Sequence, residues 1–414
     1  MVSRRLRITA TVLITLLIIL SLTAALERKK IARFMLVQSL FSGADQVQNF
    51  RTIAHTFPVH VIAAPAQANP FEPGTELPLP TSYVFDGKTR NTAEFLDQTD
   101  TTGLLIVQDG RIVYENYWRG NDVNTHWISF SLNKSFISAL VGIAVSEGAI
   151  KSIDDPVTLY VPELKDSAYD GVHIKDILQM SSGASWNEDY SDWNSDINRF
   201  GRAFAFGGSF DEFVHTLKRE HAPGTFNRYN SMDTQVLGLL LRRVTKRPVA
   251  DYLSEKIWTP LGMESGAEWM TDDAGSEFAA GGLNATLRDY AKLGELYRNQ
   301  GNWHGRQIVD ANWVNASITP DAPHLQPGLR KNADSTFGYG LQWWVPDSRG
   351  DFTGIGIYNQ FIYVSADRHL VIAKTSANHN YGTSNGESSD HEEEHIALFH
   401  AIEAAAAQGE KTEH

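Results

Sequence analysis

Trp127-Ile128-Ser129-Phe130-Ser131-Leu132-Asn133-Lys134-Ser135-Phe136 runs into an apolar segment that ends near Gly148. Among the serines of the chain, only Ser131 has a lysine three residues further on. Three residues is close to one helical turn, so hydroxyl and amine share a face. A serine hydroxyl is a weak nucleophile near neutral pH and needs a base within hydrogen-bond reach, which a desolvated lysine supplies. Phe136, Ile137, Leu140, Val141, Ile143, Ala144 and Val145 make the following helix apolar almost all round. Such a helix is buried on most sides, and burial lowers a lysine's pKa. The alternative for the same residues is a serine N-cap followed by a solvated lysine; a two-letter pattern gains weight only from its surroundings.

A Ser-Lys pair also needs a proton relay to the leaving group and donors for the oxyanion. Tyr229, in Pro223-Gly224-Thr225-Phe226-Asn227-Arg228-Tyr229-Asn230-Ser231, is the relay candidate. A phenol near a cationic lysine is acidified and passes a proton; a tyrosine packed at a helix start is the alternative. The donors would be the backbone N–H of Ser131 and one from Gly354-Ile355-Gly356-Ile357-Tyr358-Asn359-Gln360, whose glycines let backbone approach a ligand closely.

The 414 residues, 42% hydrophobic and 11% aromatic, suffice for one large domain or two lobes. A net charge of −13, with no basic block beyond the N-terminus, gives nucleic-acid binding no support. Without cysteine there are no disulfides, thiolate zinc sites or thiol nucleophiles. Residues 8–26 carry no charge and approach the roughly 20 residues that span a bilayer, longer than a signal-peptide core of about 7 to 15. An uncleaved membrane anchor at 1–30 is expected, with Thr23-Ala24-Ala25 as the alternative cleavage site. Arg4, Arg5 and Arg7 before the run oppose Arg28, Lys29, Lys30 and Arg33 after it, so charge assigns no orientation.

Residues 31–84, with Pro65, Pro70, Pro73, Pro78 and Pro80, read as a linker or wrapping segment, and 85–410 as the catalytic body. Two strand-like runs about Asp109-Gly110 predict a hairpin. Helical patterns follow at 210–218, 232–244, 249–257 and 287–299, strands at 339–344, 360–364 and 370–374, and a closing helix over 391–407. The expected class is α+β: an antiparallel sheet built from both ends of the body and flanked by helices, with a mainly helical lobe inserted. The sequence carries no signal for an oligomeric state.

Several motifs join Ser131-Leu132-Asn133-Lys134-Ser135-Phe136 in a fixed order: Leu159-Tyr160-Val161-Pro162-Glu163-Leu164, Ile174-Lys175-Asp176-Ile177-Leu178-Gln179-Met180-Ser181-Ser182-Gly183 and Tyr229-Asn230-Ser231. Gly281-Gly282-Leu283-Asn284 with Arg288-Asp289-Tyr290, Gly338-Tyr339-Gly340 with Trp343-Trp344, and Gly356-Ile357-Tyr358-Asn359-Gln360 complete them. Together they resemble the serine β-lactamase-like superfamily of penicillin-binding proteins, class C β-lactamases and related esterases, and within it the 6-aminohexanoate-dimer hydrolase type. The resemblance implies that Ser131 is acylated, Lys134 takes its proton, and Tyr229 shuttles a proton to the departing amine or alcohol. It also implies that the N–H of Ile357 completes the oxyanion hole with that of Ser131. Tyr190 resembles a pocket tyrosine on the substrate's leaving side, with lobe packing as the alternative, and Asn284 a pocket amide, with a turn residue as the alternative.

Two departures stand out. Ser231 replaces the usual Asn of the second motif, and Gly354-Ile355-Gly356 lacks the Lys or His cation that grips the carboxylate of a β-lactam or D-Ala terminus. Lys374-Thr375-Ser376 lies too far along the following strand pair to replace it. His391-Glu392-Glu393-Glu394-His395 matches a zinc-protease pattern, but Ile396, Leu398, Phe399 and Ile402 continue it as a packing face, so no metal and no cofactor is expected. The sequence thus predicts a membrane-anchored serine hydrolase with an extracytoplasmic, periplasmic body, acting on a small-molecule or peptide-like amide or ester. The rivals are a β-lactamase or D,D-peptidase, and a non-catalytic cell-envelope sensor.

Overall fold

The computed structural model describes residues 2–40, 45–384 and 386–412. An eight-stranded sheet forms its centre, and strands from both ends of the body meet in it. Thr101–Gln108 and Arg111–Tyr117 form the predicted hairpin. Asp109 and Gly110 take the positive φ values its tight turn requires, 50° and 74°. Thr101–Gln108 then pairs antiparallel with Leu370–Ser376, placing Ile106 opposite Ile372 across more than 260 residues of chain. Gln360–Ser365 and Phe352–Gly356 extend the sheet outward.

The period-two alternation of these strands feeds two cores. Leu104, Ile106, Phe361, Tyr363 and Ile372 meet Ile396, Phe399 and Ile402 of the closing helix Glu392–Thr412. Leu105, Val107, Ile362, Val364 and Val371 face the other way, toward Leu293 and Leu296 of Leu287–Arg298 and the buried helix Lys134–Ser146. The inserted lobe supplies the helices Asp196–Ala205, Phe210–Val214 and Ser231–Thr245. The expected α+β architecture is observed.

Ahead of the body, Val2–Leu26 is one helix, exposed and apolar from Ile8, with the length of a membrane anchor or a signal sequence. Arg28–Leu40 follows it directly. Residues 46–62 enter the fold: Phe50 is fully buried against Trp127, Phe130 and Tyr358. Val59–Ile62 pairs with Ala267–Met270 at the edge of a four-stranded sheet.

Three expectations are corrected. The span 339–344 is two short strands, Gly338–Tyr339 and Trp344–Val345, paired as a hairpin. Gly340 lies against the Ser317 carbonyl and Gln342 is left-handed at φ 63°, which breaks a single strand. The helix at 210–218 stops at Val214, because Arg219 bridges to Ala184 and draws the chain away. The closing helix starts at Glu392, since His391 is left-handed at φ 51°. The two histidines of the zinc-protease pattern therefore do not share a helix face, and the His395 ring bonds the His391 carbonyl.

Candidate active site

Ser131 sits on a 3-10 turn, Phe130–Asn133, and the α-helix begins only at Lys134. Phe130 adopts a left-handed φ of 46°, rare for a bulky residue. Its ring joins those of Phe50 and Tyr358 in a three-ring cluster, which holds the turn in that shape. The turn aims the Ser131 hydroxyl back at the first residue of the helix. Lys134 Nζ lies 2.7 Å from Ser131 Oγ, 3.2 Å from Ser231 Oγ and 2.8 Å from the Ala280 carbonyl oxygen.

Burial lowers the Lys134 pKa to about 7, against the opposing charge of Glu188. A neutral amine has two N–H bonds and one lone pair. The Ala280 carbonyl can only accept; Ser231, whose hydroxyl donates to Glu188 Oε1 at 2.7 Å, also accepts from the amine. Those two contacts take both N–H bonds. The lone pair is left for the Ser131 hydroxyl, the direction a general base requires.

Tyr229 lines a cleft together with Ser131 and stacks on Trp344. Lys134 Nζ lies over the ring face, 5.1 Å from its centroid. The acidified phenol expected from sequence is not what the surroundings produce. Burial, with Tyr339 and Glu188 nearby, pushes this phenol well above its ordinary value, so it acts as a neutral donor and acceptor.

Ile357 opens the turn between the strands Phe352–Gly356 and Gln360–Ser365, with Tyr358 and Asn359 both at positive φ. Gln360 fixes this turn: its amide donates to the Ile357 and Ser376 carbonyls and accepts from the Trp127 indole. The backbone of Ile357 is thereby tied to the strand that leads into Ser131. The glycines before it approach the protein itself: a Cβ on Gly356 would collide with the Ser129 carbonyl oxygen, and one on Gly354 would meet Ser135 Oγ at 3.1 Å.

Tyr190 joins Ser131 and Ile357 in lining the site, its hydroxyl donating to Glu188 at 2.8 Å. Asn284 is not brought there. Its amide donates to the Gly282 carbonyl within the four-stranded sheet, pairing Ile128 with Glu268 through its strand; the chain's own carbonyls consume the group expected to face substrate. Lys374 is buried under the closing helix, bonded to Ser376 Oγ and close enough to His395 to depress its pKa, and lines neither cleft at Ser131.

Glu188 is the residue the sequence reading missed. It accepts from the Ser231 hydroxyl, the Ser231 N–H, the Tyr190 hydroxyl and the Trp186 indole. The irregular loop around it has no periodicity, and its only signal was a pair of carboxylates, Glu188 and Asp189, between Trp186 and Tyr190. Ser231, a departure from the family pattern, is explained by the same network as the link between Glu188 and Lys134.

Glu188→Gln is expected to lower kcat/KM roughly tenfold, part of what a positioned base contributes. The pH at which activity appears should also move down, because a charge that raises the Lys134 pKa is gone. A pH–rate profile checks both; an unmoved profile would leave Glu188 a packing residue.

Two clefts meet at Ser131. An apolar one runs between Phe130, Phe200, Phe204 and Phe278. A polar one holds Tyr229, Trp344, Tyr381 and the carboxyl groups of Glu188, Asp189, Asp390 and Glu392. Burial lifts the Glu392 pKa to about 7. Among the described residues that line these two clefts there is no arginine or lysine.

Comparison with known proteins gives concordant results. The beta-lactamase family model matches residues 89–396. The 6-aminohexanoate-dimer hydrolase of Paenarthrobacter ureafaciens is 29% identical over 339 residues, 79% of this chain and 84% of that protein. A putative D-alanyl-D-alanine carboxypeptidase of Salmonella agona is 26% identical over 39% of this chain and 41% of its own length. The solved structure of a putative 6-aminohexanoate-dimer hydrolase from Bacillus anthracis superposes with a TM-score of 0.79 at 23% identity, over 90% of this chain and 96% of that one. With the family match spanning well over half its length, the chain is a serine hydrolase that belongs to the beta-lactamase family.

Proposed function

We propose that the protein cleaves an amide or ester bond through an acyl-enzyme on Ser131. Neutral Lys134 takes the Ser131 proton as Oγ bonds the carbonyl carbon, and the N–H groups of Ser131 and Ile357 receive the oxyanion. The C–N or C–O bond then breaks, with Tyr229 relaying a proton to the departing amine or alcohol. Water repeats the sequence to release the acid. The observation that carries this reading is the three-point hold on Lys134, which leaves its lone pair to Ser131.

An amide substrate is supported by the name of the Paenarthrobacter relative. The polar cleft, with four carboxyl groups and no arginine or lysine among its described lining residues, suits a neutral or cationic leaving group better than the anionic terminus of a β-lactam or D-Ala peptide. Tyr190, which lines both clefts, would contact the leaving group at their junction. The N-terminal helix, as an anchor, would hold the body at the outer face of a membrane.

With Lys134 as base, activity depends on pH. Below about pH 7 Lys134 is protonated and cannot accept the Ser131 proton; above it the amine is free. Turnover of a p-nitrophenyl ester and of a matched anilide should both rise through this region to a plateau. Activity unchanged between pH 5 and 9 for both substrates would overturn the assignment of Lys134 as base.

A further inference from the structure

We propose that the apolar cleft beside Ser131 is an acyl-chain site and that the substrate carries an unbranched lipophilic acyl group; this rests on the acyl-enzyme route above. The two clefts share Ser131, Tyr190 and Ile357, so a substrate carbonyl at Ser131 has one half in each. Of these two clefts, Tyr229 lines the polar one and not the apolar one. As the relay to the leaving group, it assigns that cleft to the amine or alcohol and leaves the apolar one to the acyl chain.

The walls fit such a chain. Among the described lining residues, the polar side chains are Ser131, Tyr190 and Ser231, all members of the hydrogen-bonded network at the serine. The rest is aliphatic or aromatic, with the rings of Phe130, Phe200, Phe204 and Phe278 around the cleft. Val37 closes one wall, from the helix that continues directly out of the apolar N-terminal helix. That helix is pinned to the body by Arg33 on Asp273 at 2.6 Å and by Phe34 stacked on Phe206. Ile31, Met35 and Phe206 leave apolar surface exposed beside it. A lipophilic substrate gathered near the N-terminal helix would meet the cleft first.

Each methylene moved from water into such a cleft is worth roughly a fourfold gain. With the full-length chain, kcat/KM for p-nitrophenyl esters should climb from acetyl to about octanoyl by nearly that factor per methylene, and the 2-ethylhexanoyl isomer should fall at least tenfold below octanoyl. A Cβ on Gly201 would stand 3.7 Å from Val37 Cγ1, so the side chain of Gly201→Leu enters the cleft and should cut the octanoyl-to-acetyl ratio at least tenfold. Should that variant not fold, labelling rates of wild-type Ser131 by alkyl fluorophosphonates of rising chain length give the same test. An active enzyme with a flat or falling chain-length profile would overturn the acyl site and leave the acyl-enzyme route standing. Absence of both turnover and labelling would overturn the route itself and the acyl site with it.

Discussion

Lys134→Met is expected to lower kcat/KM roughly 10⁴-fold, the scale on which loss of one member of a nucleophile–base unit is felt. Methionine fills the channel left by the lysine stem but offers no lone pair to Ser131 and no N–H to Ser231 or Ala280. Stability should move the other way. Lys134 is 2% exposed, and burial disfavours its charged form. Removing that cost should hold or raise the melting temperature. Activity lost with stability kept is the signature of a group held for chemistry, and kinetics with a thermal melt read both. A variant within tenfold of wild type would show that another group takes the serine proton.

Gly356→Ala should destabilise the fold by about 2 kcal/mol, the range for overpacking a closed interior, and lower kcat/KM roughly 10²-fold. The added methyl would collide with the Ser129 carbonyl and lie 3.1 Å from the Gln360 side chain. Neither neighbour yields easily. Ser129 precedes the strained Phe130, and the Gln360 amide is committed to the Ile357, Ser376 and Trp127 groups. The turn that carries Ile357 would shift relative to Ser131, opening the pair of N–H groups proposed to receive the oxyanion. Gly354→Ala is the milder companion, since its methyl is tight only against the Ser135 hydroxyl at 3.1 Å and meets the Leu132 carbonyl and Trp343 at an ordinary 3.8 Å. Chemical denaturation and steady-state kinetics on both variants check the ranking; a Gly356→Ala protein as stable and active as wild type would remove this role for the strand.

Ser131 and Lys134 were legible because their relation is local, three residues apart at the start of an unbroken apolar run. The hairpin about Asp109-Gly110 was legible for the same reason, turn chemistry between two alternating strands. Long-range packing hid the rest. Nothing in 339–344 announces that Ser317 sits against Gly340, and nothing in 185–190 announces that Glu188 reaches Ser231 across the lobe. Asn284 carried a pocket residue's motif yet faces sheet carbonyls. The Ala- and Pro-rich composition of 62–80 masked how firmly the preceding residues pack, with Phe50, Ile53 and Phe57 all buried.

The most direct measurement is intact-protein mass spectrometry after exposure to a fluorophosphonate, on wild type and on Ser131→Ala. One adduct is expected on wild type, formed faster as pH rises through about 7, and none on the variant. A folded wild-type protein that takes no label, or an adduct that survives in Ser131→Ala, would contradict the assignment of Ser131 as an activated nucleophile.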